Sequence, residues 1–97
     1  MNYELQEIKD IVIPIAKTYG VSKVGVFGSY ARGEANENSD VDIYIEKRKL
    51  RSLIQYFSFV NDLEHSLGCH VDVVTTNAMD KEFVENIMRE GITIYEE

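Results

Sequence analysis

The six residues Asp40-Val41-Asp42-Ile43-Tyr44-Ile45 alternate in character without exception. A period of two describes a strand with one face on a core and one face turned away from it. Such a strand, read over about 40–46, needs neighbours to pair with and a layer to cover Val41, Ile43 and Ile45. It also turns Asp40 and Asp42 the same way, with Cα atoms roughly 6.6 Å apart at ~3.3 Å per residue. Carboxylates held that close repel, which raises the pKa of one unless a cation sits between them. Magnesium takes such oxygen ligands, usually one or two carboxylates completed by phosphates and water. Two exposed aspartates on an edge strand are the plain alternative.

A second feature lies just upstream. Lys23 to Phe27 (KVGVF) reads as a short buried strand that runs straight into Gly28-Ser29. Glycine permits a sharp turn and the close approach of an anion. Ser29 suits the N-cap of a short helix over 30–33, and Gly33 ends it. Helix N-termini attract phosphate through their free N–H groups. An ordinary capped turn would look the same, but a phosphate turn followed by a carboxylate pair is most simply read as a nucleoside triphosphate site.

Elsewhere the spacing predicts a first helix over 2–19, capped by Asn2, ended by Gly20 and kinked or broken near Pro14. A long helix over about 50–67 carries Leu50, Leu53, Ile54, Phe57, Val60, Leu63 and Leu67 as its inward stripe, with Gly68 closing it. Phe57 and Phe59 suit a core better than a nucleobase shelf, and His65 reads as solvated. A strand over 70–75 carries Asp72; Cys69 opens it as a small core residue. The last helix covers 78–90, with Phe83, Ile87 and Met88 inward, and a final strand covers 92–95. By the same period of two, His70 and Tyr44 either border the aspartate site or are half-exposed surface residues without a role.

This order predicts an α/β (α+β) fold: one mixed sheet of about four strands, helices packed on one face, and the aspartates on the open face. Ninety-seven residues suit one domain, 1–97. A net charge of −7 argues against a general nucleic-acid binder, which would show a basic footprint. The one basic cluster, Lys47-Arg48-Lys49 with Arg51, is either a solvated loop and helix end or a contact for a triphosphate tail or an acidic partner. The absence of a long apolar run or a signal-like start, with a single cysteine, predicts a cytoplasmic protein off the membrane.

The run GSYARGEANENSDVDIYI resembles the signature of the minimal nucleotidyltransferases of the DNA polymerase β superfamily: Gly-Ser-x-Ala-Arg-Gly, a short gap, then Ser-Asp-x-Asp. The resemblance implies a third carboxylate on a later strand, and Asp72 supplies it. It implies nucleotidyl transfer with two Mg²⁺ ions and ATP as substrate: Asp40, Asp42 and Asp72 on metal, Asp72 also taking the acceptor proton, and Gly28 and Ser29 on the β- and γ-phosphates. Arg32 either reaches the triphosphate or pins the loop by pairing with an acidic residue such as Asp40. Relatives of this size are similar to antitoxins paired with HEPN-domain ribonucleases, in which AMP passes from ATP to a tyrosine of the toxin. Two alternatives stay open, an antitoxin that acts by binding alone and a small-molecule transferase, aminoglycoside-like, that works with a companion subunit.

Overall fold

Two antiparallel strands, β1 (Lys23–Phe27) and β2 (Val41–Glu46), form the middle of the sheet. The fold is that of a computed structural model that describes residues 3–36, 38–46, 52–76 and 80–97. The remaining elements are α1 (Leu5–Tyr19), α2 (Ser29–Arg32), α3 (Leu53–Leu67), β3 (Val71–Thr75), α4 (Lys81–Glu90) and β4 (Ile92–Glu96). The strand order is β3-β2-β1-β4. β4 runs antiparallel to β1, while β3 runs parallel to β2. A parallel neighbour needs a crossover, and α3 supplies it. The expected mixed four-stranded sheet is therefore present. The expected Asn2 cap, Leu50 and the Lys47–Arg51 cluster lie outside the described residues.

The core forms where the alternation places it. Val41, Ile43 and Ile45 of β2 join Val24 and Val26 of β1, all fully buried. Ile8, Val12 and Ala16 of α1 cover them at the four-residue spacing of one helix face, as do Phe59, Leu63 and Leu67 of α3. α1 starts at Leu5, with the Glu7 carboxylate accepting the Glu4 N–H at 3.0 Å, and runs through Pro14 without a break. Asp10, whose carbonyl Pro14 cannot serve, is exposed, so water can meet it.

The inward side of α3 differs from the expected stripe. Leu63 and Leu67 are buried, but Leu53, Ile54 and Phe57 are 69, 80 and 60% exposed. At about 100° per residue, Phe57 lies roughly 160° round the helix from Phe59. The helix is apolar on two sides, and only contact with α1 and the sheet selects one. In α4, likewise, Ile87 is buried while Phe83 and Met88 are exposed. Among the described residues no helix is long and apolar enough to cross a membrane.

The other face of the sheet carries Asp42 and Tyr44. Tyr44 is almost wholly buried, so it is neither a half-exposed surface residue nor an open border of a site. Its ring lies over Gly25, its register partner in β1, and its hydroxyl meets the Thr93 hydroxyl at 2.8 Å. A Cβ at Gly25 would sit 1.9 Å from the Tyr44 ring. Gly25→Ala should therefore lower stability by about 3 kcal/mol, the upper range for overpacking. In a Tyr44→Leu background the same exchange should cost far less, and paired melting curves measure the difference.

Candidate active site

Strand register assembles the acidic cluster. In the parallel pair β2–β3, Asp42 stands directly beside Asp72, across an interstrand gap of about 4.8 Å. Asp40 and His70 each lie just before their strand, and the Val41 N–H donates to the His70 carbonyl at 3.1 Å. Asp40, His70 and Asp72 each bring a ligand atom within 4.8 Å of the others. The tightest group among the described residues is thus two aspartates and a histidine, with Asp42 against Asp72 on the buried side.

Asp42 is half-buried, and burial pushes its pKa up to about 6, with Asp72 and Asp40 adding to the shift and Arg32 opposing it. His70 stands where a cation would. Its Nε2 lies 2.9 Å from Asp72 Oδ1 and its Nδ1 lies 2.9 Å from Glu64 Oε2. Both ring nitrogens can donate only in the imidazolium form, and the bond to Asp72 holds the His70 pKa above its ordinary value. Glu64 Oε2 also accepts the Val71 N–H at 3.0 Å, which fixes the start of β3. Sequence reasoning missed Glu64. Its signal was an acidic residue in the last turn of α3, where the helix dipole disfavours negative charge and some other partner must compensate.

The turn after β1 serves Asp42 directly. Gly28, not Ser29, is the N-cap of α2, and Ser29 is its first helical residue. Gly28 has φ +71°, and a Cβ there would lie 2.2 Å from Asp42 Oδ2. The Asp42 carboxylate thus occupies the space a side chain would take at this position. Arg32 does pin its loop by ion pairs, but with Glu34, at 3.0 Å, and Glu90 rather than Asp40. Ser39 shapes the approach to Asp40: its hydroxyl accepts the Asn36 N–H at 2.9 Å and its N–H donates to the Asn36 carbonyl at 3.0 Å.

The donor set suits a hard divalent cation. The Asp40 and Asp72 carboxylates converge with the His70 ring, and a cation between Asp40 and Asp72 would compete with His70 for Asp72 Oδ1.

The model of the "Polymerase beta, Nucleotidyltransferase" family matches residues 9–97. The chain belongs to this nucleotidyltransferase family. The protein adenylyltransferase MntA of Thermococcus cleftensis is 35% identical over 94 residues, covering 93% of this chain and 95% of that protein. A solved structure of a candidate minimal nucleotidyltransferase superposes with a TM-score of 0.80 at 34% identity, over 91% of this chain and 90% of the other. The MNT antitoxin of Shewanella oneidensis, solved with a tri-AMPylated HEPN toxin, matches at a TM-score of 0.74 over 95% of this chain and 72% of its own. At 17% identity that likeness carries the fold alone.

Two measurements check the electrostatics of this nucleotidyltransferase site. The Asp42 pKa is raised in the folded state, so the folded chain binds the extra proton, and stability falls as pH climbs from about 4 to about 6. Asp42→Asn should therefore stabilise the metal-free protein by about 1–2 kcal/mol at pH 7.5, allowing for partial solvent screening. It should give no gain at pH 3.5, as chemical melts at both values would show. Glu64→Ala removes the acceptor for Val71 and His70 and should cost about 1–3 kcal/mol. The His70 ring should then titrate at lower pH by NMR.

Proposed function

We propose that this chain is a magnesium-dependent protein adenylyltransferase that moves AMP from ATP to a tyrosine of a HEPN-type ribonuclease toxin, and so acts as its antitoxin. The observation that carries the reading is the in-register pairing of Asp42 with Asp72, with the Gly28 turn against Asp42, in a nucleotidyltransferase chain. The likeness to MntA of Thermococcus cleftensis supports a protein acceptor. The Shewanella antitoxin with its AMPylated HEPN toxin, a fold neighbour, supports the choice of partner.

The chemistry follows from the residues. Transfer of a nucleotidyl group needs positioning and charge neutralisation more than covalent help from the protein. In this reading Asp40, Asp42 and Asp72 hold the magnesium, which supplies neutralising charge at the triphosphate. Gly28 and Ser29 seat the β- and γ-phosphates. Arg32, exposed beside them, exchanges a carboxylate partner for a phosphate. The acceptor tyrosine oxygen forms the new bond to the α-phosphorus, the bond to pyrophosphate breaks, and Asp72 takes the tyrosine proton. Asp40 and Asp72 are exposed, so a hydroxyl on the surface of another protein can reach them. The net charge of −7 makes free RNA a poor acceptor.

Intact-mass spectrometry of the co-expressed HEPN-type chain tests the proposal. Each transferred AMP adds about 329 Da, the mass expected when the nucleotidyl group replaces a hydroxyl proton. Asp40→Ala with Asp42→Ala should abolish both the added mass and the neutralisation. If that double variant still neutralises fully and leaves the partner unmodified, the chain acts by binding and the enzymatic reading fails.

A further inference from the structure

The first turns of α3 carry exposed apolar side chains on the side turned away from the core. Leu53, Ile54 and Phe57 are each more than half exposed. Ile54, Phe57, Ser58, Val60, Asn61 and Glu64 line one shallow groove along the helix. The patch is held firmly. The Phe57 ring stands edge-on to Tyr56 at 5.7 Å between centroids, and the Tyr56 hydroxyl donates to the Val73 carbonyl of β3 at 3.1 Å. Contiguous exposed apolar surface of this kind marks a place where another molecule sits.

The groove leads to the acidic cluster. Its last residue, Glu64, is the one that holds His70, and His70 holds Asp72. A molecule lying along α3 therefore passes from apolar side chains directly onto carboxylates. An occupant that matches this gradient has apolar anchors at one end and positive charge at the other. Nucleic acid has the wrong charge, and a second copy of this chain would bring the same carboxylates against these.

We propose that this face of α3 is the docking surface for the acceptor protein, which seats apolar side chains on Ile54 and Phe57 and places Lys or Arg beside Glu64, so that its acceptor hydroxyl lies at Asp72. The proposal rests on the adenylyl-transfer reading of the site.

Ile54→Gln with Phe57→Gln tests it, since both residues are exposed and glutamine keeps the helix. The doubly substituted chain should melt like wild type and bind Mg²⁺–ATP equally well by calorimetry. Its affinity for the purified HEPN-type chain should fall by about 30-fold, the scale of a lost aromatic anchor. Transfer should show a raised KM for that chain with kcat largely kept. An affinity and a KM within threefold of wild type would overturn the proposal. So would a wild-type dimer that the double exchange turns into monomer while transfer is unchanged, because the face would then serve self-association. If wild type binds the HEPN-type chain without modifying it, and the double variant does not bind, docking stands and adenylyl transfer falls.

Discussion

The parallel pairing of β2 with β3 is the contact on which everything else in this chain depends. It sets Asp42 beside Asp72 and leaves Asp40 and His70 at the neighbouring strand entrances. The same pairing is electrostatically unfavourable, since it brings like charges together with one of them half-buried. The chain tolerates it because the opposite face of both strands is a dense apolar core under α1 and α3. Burial there outweighs repulsion here, and that imbalance lets a small domain hold a charged cluster ready for a cation.

Two groups relieve part of the repulsion. His70 lays an imidazolium between Asp72 and Glu64. Arg32 adds a weaker positive field from α2. Glu64 does double service, because its carboxylate orients the histidine and also caps the first N–H of β3. Position and charge at this site are thus governed by one residue of the crossover helix.

Much of this was readable from the residues. The alternation from Asp40 to Ile45 identified β2 and its buried face, and glycines after α1, α2 and α3 marked helix ends that adopt the left-handed conformation. The signature spacing picked out Asp40 and Asp42, the family resemblance pointed to Asp72 on a later strand, and the fold sets Asp72 beside Asp42. What escaped is what depends on packing between distant segments. Periodicity could not tell which apolar side of α3 turns inward, because both Phe59 and Phe57 sit on plausible stripes. It could not foresee that Tyr44 would be sealed over Gly25, which requires β1 opposite β2 in one register. The partners of Arg32 come from Glu34 nearby and Glu90 at the far end of α4, and only the fold brings the second within reach.

Gly28 and Asp42 bear on how such a site decays. The glycine is required twice, once by its positive φ and once by the carboxylate that fills the space of a side chain. Loss of Asp42 would lift the second requirement and leave the first. In a lineage with no need of Asp42, the aspartate can drift freely while the glycine stays fixed by backbone geometry. A Gly-Ser turn facing an empty position on the neighbouring strand is therefore the fossil such a lineage would leave.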